Sequence, residues 1–227
     1  MNQELIKVSL VQAYLELARS YVVAKAHSKL TDVTKPTELN PHDSYMTNLA
    51  FAALSAVFSY SAIEAFINYE LFRIWEHSKY AHDAIEKINK VDPSKRYVAL
   101  YNDFYQKYGK YSDFRTLGKK ELRKLTERIN NICKAYNMPS IFEADEQLWN
   151  DLLRLEEVRH HLIHPVPLDK EFNRIVRELF SSEPHQKYPE IAMRVISYFY
   201  NFFDETPPEY LVSNKLFRIT DIEFLFT

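Results

Sequence analysis

An all-α helical bundle is the fold this sequence predicts: four core helices, accessory helices, and a short irregular or strand-like C-terminal tail. Three observations predict it. Apolar residues recur at helical spacing over long runs, as in Leu5, Val8, Val11, Leu15, Ala18 and Val22. Glycine is almost absent, Gly109 and Gly118 being the only two in 227 residues. That scarcity argues against phosphate-cradling loops, Rossmann turns and multi-hairpin β folds, which need glycine at positive φ. Strand-like alternation is confined to a short stretch at Phe217–Thr220. With 46% apolar and 15% aromatic residues, the chain can bury a sizeable core as one domain. That domain is expected over residues 1–205, with residues 206–227 as the tail.

The elements follow in order. The first amphipathic helix is expected over roughly residues 2–29, and Thr34-Lys35-Pro36 through Asn40-Pro41 is a loop because X-Pro steps and Asn do not sustain a helix. A second, longer helix is expected from Asp43 or Ser44 to about Tyr80. Its middle, Leu49 to Ile67, carries one charge, Glu64, over a length close to that of a membrane span. Ala and Ser dominate it, however, and Glu64, Ser55, Ser59 and Ser61 would be costly in lipid, so a central buried helix is the better reading. Residues 82–117 form an aromatic-rich insertion in which Tyr97, Tyr101, Tyr105 and Tyr108 make a helical stripe. That stripe reads either as a stacking platform for bases or as packing against the bundle.

The third main helix is expected from about Lys119 to Tyr136, with Leu122, Leu125, Ile129, Ile132 and Cys133 inward and Asn137-Met138-Pro139 ending it. The fourth runs from about Glu143 to Ile163, with Leu148, Leu152, Leu155, Val158 and Leu162 inward. A further helix spans roughly Tyr188 to Asp204, before Thr206-Pro207-Pro208.

A formal charge of −2 gives no global attraction to nucleic acid, so RNA binding would rest on a local patch. The single cysteine, Cys133, excludes an internal disulfide and suits a reducing compartment, and it reads as a buried, inert thiol. Met1-Asn2-Gln3-Glu4-Leu5 does not open a signal peptide. A cytoplasmic protein is expected.

Chemistry concentrates in Val158-Arg159-His160-His161-Leu162-Ile163-His164-Pro165. Arg stays cationic and presents a rigid fork suited to phosphate oxygens, while His titrates near neutrality and exchanges protons with hydroxyls. On an ideal helix Arg159 and His164 lie about 140° apart. Pro165 biases His164 away from helical geometry, which frees that imidazole to turn toward the arginine.

Other readings of the same residues exist. His160 and His164 match the outer positions of a zincin motif, but His161 stands where the general-base glutamate belongs. Glu157 and His160 make one Glu-x-x-His pair, whereas di-iron bundles need a second on another helix. Alternatively Arg159 pairs with Glu156 or another carboxylate, and the histidines cap the helix C-terminus.

Arg159-His160-His161-Leu162-Ile163-His164-Pro165, closing the fourth helix of an expected bundle, resembles the signature of the HEPN superfamily. Ser61-Ala62-Ile63-Glu64-Ala65-Phe66-Ile67-Asn68 is similar to the Glu- and Asn-bearing second helix of several HEPN groups. The resemblance covers roughly residues 45–200. It implies a metal-independent endoribonuclease without a cofactor, its site formed across a two-fold homodimer. Arg159 would contact the scissile phosphate, and His164 would exchange a proton with the 2′-hydroxyl or the leaving oxygen. Products would carry a 2′,3′-cyclic phosphate. His160 stands where the family usually places Asn or Asp, in a polar supporting role. Glu64 would orient Arg159 or a histidine, or else be a buried carboxyl satisfied by the Ser61 or Tyr60 hydroxyls. The implied partners are RNA, a second copy of the chain, and an antitoxin or nucleotidyltransferase; no membrane is implied. A non-catalytic module binding RNA, nucleotide or protein through the same cationic notch is the competing class.

Overall fold

The computed structural model describes residues 11–21, 41–89, 124–164, 170–180 and 184–202, with 207, 208 and 211 besides. Among them the regular structure is α-helical throughout and no strand occurs. The helices are α1 (11–21), α2 (Pro41–Asn89), α3 (Leu125–Ala135), α4 (Ile141–Ala144), α5 (Glu146–Ile163), α6 (Lys170–Phe180) and α7 (Pro184–Phe202). The chain divides into two compact units, Met1–Ile63 with Leu148–Thr227, and Glu64–Gln147. Helix α2 contributes to both.

In the first unit the core is a set of apolar stripes at helical spacing. Val11, Leu15 and Ala18 come from α1; Ala52, Ala56, Ala62 and Ile63 from α2; Leu148, Leu152, Leu155 and Val158 from α5; Ile175 and Leu179 from α6; and Val195, Ile196 and Phe199 from α7, all buried. Each large side chain so buried contributes about 1.5–3 kcal/mol of transfer free energy. The small residues of α2 sit among these larger ones, with Ser55 and Ser59 also fully buried. Tyr21 stacks on Phe58 at 5.8 Å between centroids and Tyr14 on Phe58 at 6.1 Å, tying α1 to α2. Leu49–Glu76 is long and apolar enough, by length and composition, to cross a membrane, and half of its most apolar window is buried inside the protein.

The second unit packs Phe66, Ile67, Leu71 and Ile74 of α2 with Leu125, Ile129, Ile132 and Cys133 of α3 and Ile141 of α4. Asn137 ends the α3 segment in the left-handed region at φ 53°, a conformation Asn tolerates better than most residues. Ser140 then opens α4 with a capping box. Its hydroxyl accepts from the Glu143 N–H at 3.2 Å, and the Glu143 carboxylate accepts from the Ser140 N–H at 2.8 Å. The Ser140 N–H foremost, and then the Ser140 hydroxyl, which donates to the same carboxylate at 2.9 Å, hold the Glu143 carboxyl below the usual range.

Several boundaries differ from expectation for identifiable reasons. Helix α2 starts at Pro41 and runs to Asn89, so it takes in the first residues assigned to the aromatic insertion. The remainder of that insertion, including its tyrosine stripe, lies outside the described residues, as do both ends of the expected first helix, Leu122, and Phe217–Thr220. Helix α3 begins at Leu125 because Lys124 is extended, at φ −90° and ψ 140°. The expected fourth helix is two helices: Asp145, at φ −154° and ψ 87°, interrupts it after a single capped turn. Helix α6 was not expected, although Phe172, Ile175, Val176 and Leu179 carry the helical period. Helix α7 begins at Pro184, four residues before the expected start, with Pro189 inside it. As the sixth residue of the helix, Pro189 lies just past the first turn and gives up one backbone hydrogen bond there.

Cys133 is 2% exposed, and burial is the main cause that pushes its thiol up to about 12. The native thiol should therefore resist Ellman's reagent at neutral pH and react fully after unfolding in guanidinium chloride. Rapid stoichiometric labelling of the folded protein would overturn this placement.

Candidate functional site

The apolar stripe of α5 fixes the surroundings of the arginine–histidine segment. Val158 is fully buried, and each following residue turns about 100° further around the helix. Arg159 therefore lies at the edge of the buried face and is half-buried, His160 is exposed, and His161 and Leu162 are half-buried. Leu162 is thus less deeply inward than its spacing suggested. The helix ends at Ile163, as expected of a helix stopped near Pro165, and His164 is an exposed bend whose N–H donates to the His160 carbonyl at 2.9 Å. Pro165 itself is outside the described residues.

Arg159 packs on an aromatic ring. Its guanidinium carbon lies 5.1 Å from the centroid of the Tyr60 ring. Among the described residues no carboxylate forms an ion pair with Arg159; Glu156, the expected alternative partner, accepts the Tyr60 hydroxyl at 3.4 Å. The His160 ring lies 5.4 Å from that of His164 and 5.5 Å from that of His161, centroid to centroid. Three imidazoles thus crowd the last turn of α5. Among the described residues no group of three or more His, Cys, Asp or Glu side chains is placed to hold a metal ion.

Glu157, the acidic member of the Glu-x-x-His pair, is held elsewhere. Arg154 donates to Glu157 on its own helix and to Glu178 on α6, and reaches Glu171 at 3.4 Å. Arg174 pairs with Glu171 and lies 3.5 Å from Glu157. Two arginines and three glutamates so join α5 to α6. Partial burial works against the Arg154 charge, but the hydrogen bonds and charges of Glu178 and Glu157 outweigh it and raise its pKa further. Burial first, and the negative charge of Glu178 second, push the Tyr188 hydroxyl well above its ordinary value.

Glu64 belongs to the second unit, where its carboxylate accepts from Arg128 of α3 at 3.0 Å. The same guanidinium nitrogen donates to Asn68 at 2.8 Å. The Glu- and Asn-bearing face of α2 is therefore engaged by Arg128, while the Ser61 hydroxyl donates to the Val57 carbonyl at 2.9 Å. Sequence reading missed Arg128, Arg154 and the seat that Tyr60 gives Arg159. Of these, the i, i+3 pair Arg154–Glu157 was readable from spacing; the others join residues far apart in the chain.

Family models, curated proteins and solved structures were compared with the chain, and none matches it.

The cluster beside the site predicts a pH response. A hydrogen bond from Arg174, followed by the arginine charges, holds the Glu171 carboxyl below the usual range. A depressed carboxylate stabilises the fold above its unfolded pKa of about 4.3 and loses that contribution as pH falls through its folded value. Glu171→Gln should therefore melt below the wild type near neutrality, and the gap should close in acid, below pH about 4. A gap independent of pH would remove this assignment.

Proposed function

We propose that the chain is a metal-independent endoribonuclease of HEPN type, acting as the toxin of a toxin–antitoxin or defence system. The observation that carries the reading is the state of Arg159: a guanidinium without a carboxylate partner among the described residues, on the same helix end as the exposed His160 and His164. Such a cation retains its charge and its fork of donors for a phosphate. In this reading Arg159 binds the scissile phosphate and stabilises the charge that develops on it. His164 accepts the proton of the attacking 2′-hydroxyl or delivers one to the leaving 5′-oxygen. The 2′-oxygen–phosphorus bond forms as the phosphorus–5′-oxygen bond breaks, leaving a 2′,3′-cyclic phosphate and a 5′-hydroxyl. His160 supports the phosphate as a polar neighbour.

Glu64, expected to orient Arg159 or a histidine, has Arg128 as the cation on its carboxylate. That engagement also favours a second reading, a non-catalytic HEPN-like module binding RNA, nucleotide or a protein partner, because the carboxylate is already committed. A homodimer in the cytoplasm, paired with an antitoxin or nucleotidyltransferase, belongs to either reading.

Incubation of the purified protein with mixed RNA in EDTA separates them. Cleavage to cyclic-phosphate ends should proceed, and Arg159→Ala or His164→Ala should each lower it by about a hundredfold or more. His161→Ala should matter less, and sedimentation should give twice the chain mass. Cleavage lost in EDTA and restored by zinc or manganese would instead reassign the histidines as metal ligands.

A further inference from the structure

Arg159 leaves α5 at the margin of the buried face, and the wall it meets is the ring of Tyr60. That ring is 6% exposed, so it is a fixed part of the core surface and not a mobile surface group. The guanidinium carbon stands 5.1 Å from its centroid, within the range of about 6 Å over which a cation and a ring attract. We infer that Tyr60 is the positioning residue for Arg159, its ring face holding the guanidinium in place while leaving the charge and the N–H donors free for an anion. The inference rests on the reading of Arg159 as the phosphate contact.

The chemistry of the seat explains why a ring suits this position. A carboxylate would also hold an arginine, but it would neutralise the charge and occupy two donors of the planar fork. Arg154 on the same helix shows that outcome, with Glu157 and Glu178 occupying its donors. A ring face attracts the cation through its quadrupole and takes none of the in-plane donors. The hydroxyl of Tyr60 reaches Glu156 and is not part of the ring face that attracts the guanidinium. Its bond to Glu156 is 3.4 Å long, well beyond the usual O–H···O length of about 2.7–2.8 Å. Ring and hydroxyl are therefore separable, which gives the test its form.

Two measurements on the full-length protein decide it. The first is the ¹⁵N relaxation of the Arg159 Nε–H group, assigned by its loss in Arg159→Lys. The group should be ordered in the wild type, remain ordered in Tyr60→Phe, and become as mobile as a solvent-exposed arginine in Tyr60→Leu. The wild-type measurement needs no variant, so a Tyr60→Leu protein that fails to fold leaves the inference exposed to refutation: a mobile Arg159 Nε in the wild type overturns it. The second is the affinity for a fluorescein-labelled 2′-O-methyl RNA, which lacks the attacking hydroxyl. Tyr60→Leu should weaken it on the order of tenfold, Tyr60→Phe should stay near wild type, and Tyr60→Leu should have no further effect in an Arg159→Ala background. Equal losses in both backgrounds, or a Tyr60→Phe loss as large as that of Tyr60→Leu, overturn the inference. An ordered Arg159 in a protein that does not cut unmodified RNA sinks the ribonuclease reading and leaves the positioning role of Tyr60 standing.

Discussion

Everything at the candidate site depends on the apolar stripe of α5. Leu148, Leu152, Leu155 and Val158 are buried at spacings of four, three and three, so the rotation of this helix about its axis is fixed by side chains that have nowhere else to go. Moving any of them into water would cost about 1.5–3 kcal/mol of transfer free energy. With the rotation set, Arg159 is placed at the boundary of the buried face, against Tyr60, and His160 is placed outside. The polar residues did not choose these positions; the four apolar ones did.

The two arginines of α5 show how the same side chain can be given opposite fates. Arg154 and Arg159 are about 140° apart around the helix. Arg154 faces α6, where Glu171 and Glu178 join Glu157 in consuming its charge. Such a guanidinium is a structural cross-link, and its side chain, 23% exposed, is screened enough that its value in stability is modest. Arg159 faces an aromatic ring and keeps its charge. A phosphate approaching α5 therefore meets a cation at its C-terminal end and, one to two turns earlier, a cluster in which three glutamates outnumber two arginines.

What could be read from the sequence follows the range of the interactions involved. Helical periodicity, the scarcity of glycine, and the stop at Pro165 act within a few residues, and helices α1, α2, α3, α5 and α7 together with the exposed bend at His164 follow from them. The inward faces of α3 and α5 were legible for the same reason. The start of α4 is local too, written in the capping box Ser140-x-x-Glu143, whereas the break at Asp145 has no such signal. The seats of the charged groups were another matter. Glu64 meets Arg128 across 64 positions, and the hydroxyl of Tyr60 meets Glu156 across 96. No spacing rule connects such pairs, since their meeting is a product of tertiary packing.

The location of Arg159 at a helix C-terminus has a physical consequence for any anion bound there. Helix N-termini offer free N–H groups and a positive dipole end, and so can hold a phosphate with backbone alone. The C-terminal end of α5 offers the reverse, carbonyl oxygens and a partial negative charge. A phosphate brought to this end would have to be held by side chains against the local field, Arg159 foremost. A single guanidinium in that role is useful only if its position is fixed, because a mobile one would lose on binding the rotamer entropy that a seated one has already lost on folding. The field of the helix end and the scarcity of backbone donors therefore lead to the same requirement, a seat for Arg159 that takes neither its charge nor its N–H groups. The face of an aromatic ring meets that requirement, and a carboxylate does not.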